Sequence, residues 1–459
     1  MTATVRDSPR GLLAAMSLNV LGSILTAIAA VGATALMARN MPVADFGRVL
    51  LLLTAVNAFA IFEGVRPVVI HRVAVGRESP HKLFRAAAQI NAGMVGATLL
   101  CLLIAYLAGA GSDLPPLSDF FLAATAVAFF VMMQYWMFLD AEQDTVFTGL
   151  SRACGWTLLY LTFGILSELQ ADILWYILSL FLMHILLILA LRIRFEKRGL
   201  VTKYRSLGSD DPIEPLLKAA INNIVFNVSA VTINVADRAI VGIVMGARSA
   251  GFYSGPSELA LRANGLVRAG VQVILPWAAR LSARDQDRYW SFGAAASLVF
   301  VGSGCAILLL VRDWATALFL GPAFRMMGDL LGLFGLGIVA STLGYVCVVH
   351  LNARGDFRTQ RQLYIGGAIV LLAGGIVGAL SGNLTYVAIA YLTARSVDLV
   401  LLLLILKRLP TSIQRWFIAI GAVVFLALVA GWNGWAWSAA ALLAATWALG
   451  WGFWRAVRV

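Results

Sequence analysis

The sequence predicts an all-α polytopic membrane protein of about fourteen transmembrane helices, built as two pseudo-symmetric six-helix lobes followed by a C-terminal helix pair. Three observations lead there. Of 459 residues, 61% are hydrophobic and only 13% charged, with a mean hydropathy of +0.86; a soluble chain runs at about 45–50% apolar and 25% charged. The apolar residues fall in runs close to the ~20 needed to cross a bilayer. The basic residues gather in alternate loops, as the positive-inside bias requires. The formal charge of +12 is therefore a mark of topology and does not point to a nucleic-acid partner.

The first run, Gly11–Met37, follows Arg6 and Arg10 as a signal peptide would, but it is too long for a signal core and reads as the first helix. Next come Phe46–Ile70, Phe84–Leu107, Leu117–Leu139, Val146–Leu166 and Ile173–Leu191. After a polar linker follow Leu216–Val235 (running on toward Met245), Phe252–Ala279, Trp290–Val311, Leu330–Val349, Leu363–Leu380 and Leu384–Ile405. Trp416–Gly431 and Trp435–Trp454 complete the set. With the N-terminus inside, Arg72, Arg77, Lys82, Arg85, the series from Arg192 to Lys218, Arg354, Arg358, Arg361, Lys407, Arg408 and Arg415 all face one side. Both termini are then cytoplasmic and the chain sits in the cell inner membrane. The implied units are an N-terminal lobe over 1–193, a cytoplasmic linker over 194–215, a C-terminal lobe over 216–410, and the last two helices over 411–459. Cys101, Cys154, Cys305 and Cys347 have no paired spacing, so neither a disulfide nor a metal site is expected.

The two lobes look related. FLDAEQDTV, from Phe138, lines up with HLNARGDFR, from His350, matching Leu139 with Leu351, Ala141 with Ala353 and Asp144 with Asp356. ADFGRVLL around Gly47 answers SAGFYSGP around Gly251. An even number of helices per half makes the repeats parallel, with a substrate site between them.

Polar residues inside the spans are the candidate site. In the eighth helix Ser254, Ser257, Glu258, Arg262, Asn264, Arg268 and Gln272 share one face of the helical wheel. A charge at mid-bilayer costs about 2.5–3.5 kcal/mol, so this face should meet a wet cavity. Arg262 and Arg268 suit an anion, although Glu258 and Arg262 at i, i+4 are also placed to neutralise each other. Asn223, Asn227 and Asn234 form a stripe on the seventh helix, fit either for sugar hydroxyls or for helix–helix hydrogen bonds. In the second helix Glu63 and Arg66 flank Gly64 and precede Pro67, a site for a bend, a polar cavity segment or a locking ion pair. Asn19, Ser23, Thr26 and Thr34 give the first helix a small, mildly polar face read mainly as close packing. The twelfth helix carries Arg395 and Asp398 at i, i+3, an internal pair or, through Asp398, a coupling site for H⁺ or Na⁺. Asp398, Glu258, Glu63 and Asp237 are the acids available for coupling. His184 reads as a packed core residue. There is no arrangement for catalysis.

LMARNMPVADFGRVLLL, with Arg39 closing the first helix and Gly47 opening the second, resembles the polysaccharide-transporter (Wzx-type flippase) family. So do Asp237, the run IVMGARSAGFYS with Gly251 and Tyr253, and Pro276 before AARL. This family lies within the multidrug/oligosaccharidyl-lipid/polysaccharide exporter superfamily. The resemblance implies two lobes around a cavity lined by the first, second, seventh and eighth helices, with Arg39 and Arg66 beside it. It implies flipping of undecaprenyl-pyrophosphate-linked oligosaccharide units (O-antigen, capsule or exopolysaccharide) to the periplasmic leaflet, alongside a polysaccharide polymerase and a chain-length regulator. No cofactor is implied beyond a coupling H⁺ or Na⁺. The first helix lacks the Arg-Asp motif of lipid II flippases and the second lacks their Leu-Pro-Asn-rich stretch, which points away from a peptidoglycan precursor. The alternatives are a cation-coupled multidrug antiporter of the same superfamily and, with less support, a membrane polysaccharide polymerase or ligase. A polymerase would need a large outer loop, and the longest one expected lies between Val311 and Leu330.

Overall fold

A computed structural model describes residues 9–58, 65–75, 80–107, 116–142, 144–205, 214–278, 281–362, 364–405 and 447. Among these there is no strand. The helices are α1 (Pro9–Asn40), α2 (Val43–Ala58), α3 (Arg66–Val75), α4 (Pro80–Leu107), α5 (Pro116–Ala141), α6 (Thr145–Glu168), α7 (Ile173–Lys197) and α8 (Leu200–Arg205). Then come α9 (Glu214–Ala278), α10 (Ala283–Leu320), α11 (Gly328–Arg354), α12 (Phe357–Arg361), α13 (Ile365–Leu380) and α14 (Leu384–Ile405). The predicted helices over 411–459 lie outside the described residues apart from Trp447.

Seven of the described helices are long and apolar enough to cross a membrane. Of the helices expected as spans, α4 and α14 are not among them, and neither is α6. It has the length, at 24 residues, but Thr145, Thr148 and Arg152 give it a polar face, for the reason shown below.

The structure revises three boundaries. The seventh and eighth predicted helices are the two limbs of α9, and the break falls at Gly246 (φ 83, ψ 170). That left-handed conformation costs glycine nothing and other residues a steric penalty. Pro67 does not bend the second helix from within. It occupies the first turn of α3, where a missing N–H leaves no intrahelical bond unmade. The stretch after Val311 is no open loop either: α10 continues to Leu320 and a 3-10 turn, Pro322–Met327, leads directly into α11. Arg312 ties the two helices by reaching Asp329 at 3.2 Å.

α1 and α5 pack on α6 and α7, while α9, α10, α11, α13 and α14 pack among themselves. The two groups meet mainly where α1 and α2 lie on α9. Both sequence correspondences have a counterpart in the fold. Asp144 N-caps α6 with its amide donating to Leu139 O at 2.8 Å; Asp356 N-caps α12 with its amide donating to Leu351 O at 3.0 Å. Gly47 and Gly251 touch each other: a Cβ on Gly47 would stand 2.8 Å from the Gly251 nitrogen. The two matched glycines thus meet where α2 lies on the second limb of α9.

His184 is fully buried, with Nδ1 2.7 Å from Leu180 O and its ring 5.9 Å from that of Phe129. It is a packed core residue.

Candidate functional site

A cavity of about 300 Å³ lies between the two groups of helices. α1, α3, α5 and α6 form one wall; α9, α11, the α12 turn and α14 form the other. It sits toward the end that carries the α5–α6 and α11–α12 turns. At that end the His71 ring meets Phe357 edge-on at 6.0 Å, and a Cβ on Gly355 would stand 2.5 Å from His71 Nε2. The opposite end is shut by α2 on α9, with Phe46 edge-on to Phe324 at 5.9 Å.

The lining is polar and net cationic. Arg66, Arg152, Arg262 and Arg395 face it against a single carboxylate, Asp140. Arg66 donates to Asp140 Oδ2 from Nε at 2.9 Å and Nη2 at 2.5 Å, and the Thr148 hydroxyl caps the other carboxylate oxygen. Arg152 lies 4.4 Å over the Trp136 ring, a cation–π contact that leaves its charge in place.

Arg262 is held from two sides. It donates to Glu258 Oε2 and its guanidinium carbon stands 4.7 Å over the Tyr160 ring. Glu258 is shared, because Arg238 on the first limb of α9 donates to its Oε1 at 2.5 Å. Two guanidiniums therefore divide one carboxylate, and Arg238 also lies 3.9 Å from Asp237. Arg238 donates to Asn234 O at 2.5 Å on its own limb, and its bond to Glu258 ties the two limbs of α9 together.

Arg395 donates to Asn234 Oδ1 and sits over the Tyr391 ring at 5.2 Å. The pair expected with Asp398 does not form. Asp398 turns to the α13 backbone, accepting from Gly367 N–H at 3.1 Å. No carboxylate pairs with Arg395 among the described residues. Among the described residues the Nε atoms of Arg262 and Arg395 are buried without an acceptor, the Gln360 amide nitrogen likewise, and the Gln360 and Asn352 amide oxygens are buried without a donor. Buried polar groups are normally satisfied. Orphaned donors and amides around one cavity, with surplus positive charge, suit an anion carrying hydroxyl-rich neighbours.

Of the other expected site residues, Asn227 and Asn234 line the cavity, whereas Asn223 is buried away from it. Glu258 lies behind the lining and not in it. Arg39 is a correction: it does not line the cavity but donates to Leu318 O near the opposite end. Arg66 pairs with Asp140 on α5; Glu63 lies outside the described residues. Asp237 is buried with the Tyr253 hydroxyl at 3.0 Å and Arg238 at 3.9 Å. The side chains of Asn264, Arg268 and Gln272 lie outside the described ones.

Several lining residues escaped the sequence reading: Asp140, Arg152, Trp156, Asn352, Gln360 and Tyr364. A signal was present. Asp140 and Asn352 occupy the same column of the two matched segments, and the same register pairs Thr148 with Gln360 and Arg152 with Tyr364. All six face the cavity. Carried back from Gly47 and Gly251, the other register pairs Ser23 with Asn227, Thr26 with Ala230 and Ala27 with Val231, and these line it too. The cavity walls are therefore repeat-related.

Near the cavity, at the α5–α6 turn, Asp144 receives Arg194 at 2.7 Å and Arg198 at 3.1 Å. Burial works to raise this carboxyl, but the hydrogen bonds and charges of Arg194 and Arg198 outweigh it and hold it below the ordinary carboxylate range.

No family model matches the sequence, and no curated protein does. Solved structures match by fold. The lipid II flippase MurJ in an inward closed conformation superposes with a TM-score of 0.66 at 13% identity, over 96% of this chain and 100% of that one. A mutant of the MATE transporter VcmN from Vibrio cholerae gives 0.59 at 13% identity, over 87% and 97%. The MATE multidrug transporter DinF-BH in complex with R6G gives 0.56 at 14% identity, over 87% and 95%. The chain thus has the fold of this flippase and of these transporters.

Proposed function

We propose that this protein is a transporter that flips undecaprenyl-pyrophosphate-linked oligosaccharide repeat units from the cytoplasmic to the periplasmic leaflet of the inner membrane, by alternating access of its two halves. The observation that carries this reading is the surplus of arginine in a cavity between the halves, with the Nε atoms of Arg262 and Arg395 lacking an acceptor. A guanidinium donates through a planar fork that matches phosphate oxygens. Asn227, Asn352, Gln360 and Trp156 supply amides and an aromatic face for the sugars, while the prenyl tail stays in lipid. The charge bias of the loops puts the cavity at the cytoplasmic end, where such a substrate is made.

The same surplus weighs against a drug antiporter. An organic cation meeting four arginines and one aspartate loses its hydration without gaining a counter-charge. A polysaccharide polymerase and a chain-length regulator are the partners this function calls for. Asp398, whose Oδ2 is buried without a donor, is the coupling acid we favour for H⁺ or Na⁺.

The test is a leaflet-resolved assay of lipid-linked repeat units in a deletion strain, complemented with the wild type or with Arg262→Gln and Arg395→Gln. Loss of the protein should trap single units on the cytoplasmic side. Both variants should be made at normal levels and fail to restore export. Single units collecting on the periplasmic side would instead identify a polymerase. Unaltered glycan with a changed drug-susceptibility panel would identify an antiporter.

A further inference from the structure

A second cleft lies on the outer wall of the N-terminal half, between α4, α5, α7 and α8. It measures about 650 Å³ and shares no lining residue with the central cavity. Its floor is apolar. Phe84 and Phe195 lie with ring centroids 6.3 Å apart, and Tyr135 meets Phe195 edge-on at 5.5 Å. From there Ala88 and Ala92 extend the floor along α4, away from its start.

The rim is cationic. Arg85, near the start of α4, is exposed and makes no hydrogen bond or ion pair with any described residue. Arg192, near the end of α7, holds only Glu196 one turn on, at 2.9 Å with both side chains more than half exposed. Such a pair is weak, and a guanidinium keeps further donors for a second acceptor. The chain beyond is basic as well: Lys197, Arg198, Lys203 and Arg205 follow within α7, the next turn and α8.

A small aqueous anion has no use for an apolar trough, and a bare hydrocarbon none for two arginines. The cleft asks for a molecule with both parts in that order. Basic pockets between transmembrane helices at the cytoplasmic surface are suited to acidic lipid headgroups. We propose that this cleft is a site for an anionic glycerophospholipid, its phosphodiester held by Arg85 and Arg192 and one acyl chain laid over Phe84, Ala88 and Ala92. The lipid fills the gap between α4 and α7, whose floor is the Phe84–Phe195 contact. The proposal is independent of what the central cavity carries.

The full chain, purified in detergent and titrated with dioleoylphosphatidylglycerol or dioleoylphosphatidylcholine, tests it by native mass spectrometry and melting temperature. Phosphatidylglycerol should be retained about tenfold more tightly, because the choline cation of phosphatidylcholine offsets the phosphodiester charge that the two arginines meet. Arg85→Gln with Arg192→Gln should abolish that preference, and Ala92→Trp should weaken retention of both lipids by filling the trough. Arg85→Gln alone, at an exposed and unpartnered position, reports the effect if the double variant folds poorly. Equal retention of the two lipids, an unchanged preference in Arg85→Gln, or full competition by inorganic phosphate would overturn the proposal.

Discussion

The contact between Gly47 and Gly251 lets the two halves close at the end opposite the cavity, so it is the place to perturb the conformational cycle. A Cβ on Gly47 would stand 1.9 Å from Ala247 O, and one on Gly251 would stand 2.5 Å from Val43 O. Carbon and carbonyl oxygen pack no closer than about 3.3 Å, so Gly47→Ala forces α2 and α9 apart by more than about 1 Å. Both obstacles are backbone, which cannot rotate aside. Overpacking of this kind costs about 1–3 kcal/mol, and the cost falls only on the state in which this end is shut. The equilibrium should therefore move toward opening by about 5- to 150-fold. The assay is labelling of Ser23→Cys, a cavity position, by a membrane-impermeant maleimide added from the periplasmic side, in a background freed of the four native cysteines. Gly47→Ala and Gly251→Ala should each speed labelling and lower export. Gly32→Ala, where a Cβ meets nothing within 4 Å, should change neither. Unchanged labelling in Gly47→Ala at normal protein level would refute the argument that this seam is the closure.

Glu258→Gln should be far more harmful to the amount of folded protein than Arg262→Gln. The first takes the shared buried carboxylate from both Arg238 and the half-buried Arg262, a loss of about 3–5 kcal/mol; the second leaves the Arg238–Glu258 bond intact. Melting of the purified variants in detergent checks the order. Asp144 should make the fold acid-sensitive. Its folded-state pKa is depressed by Arg194 and Arg198, so its stabilisation is complete above the unfolded carboxylate value of about 3.9 and drains away as pH falls toward the lower folded value. Melting temperature against pH should show that acid limb in the wild type and a shallower one in Asp144→Asn.

The helices were legible because a bilayer imposes a length and an apolar composition on each crossing, and the repeat because Asp144 and Asp356 recur in matched segments. Side-chain partnerships were not legible. Arg66 has Glu63 three residues away as one possible partner in the sequence, but its bond to Asp140, 74 residues on, depends on the packing of α3 against α5. Glu258 and Arg262 have the i, i+4 spacing to neutralise each other, and they do pair; the second claimant, Arg238, arrives only because the chain reverses at Gly246. Arg395 and Asp398 had the spacing to pair, but rotation of α14 sends one toward α9 and the other to the α13 backbone. Periodicity places residues on a face. Which neighbour that face meets is settled by tertiary packing, and so α6, whose polarity weakened it as a span, emerged as a cavity wall only in three dimensions.

The two walls share geometry but not chemistry, and the difference bears on how a substrate lies between them. At repeat-related positions the N-terminal half presents Asp140, Thr148 and Arg152, whereas the C-terminal half presents Asn352, Gln360 and Tyr364. In α1 and α9 the asymmetry recurs with Ser23 opposite Asn227. At these positions one wall is charged and the other offers amides and a phenol, while Arg262 and Arg395 add charge to the second wall from α9 and α14. A symmetric ligand would have no reason to keep such a division. A molecule with an anionic group and neutral hydroxyls has, because Arg152 and Gln360 then read different parts of it. Exchanging Gln360 for Leu should alter which glycans are exported while leaving anion-dependent binding in place, and Arg152→Gln should weaken every substrate alike. Binding of repeat units that share the pyrophosphate and differ in sugar separates the two outcomes. Equal, sugar-independent losses in both variants would mean that the walls do not divide the substrate between them.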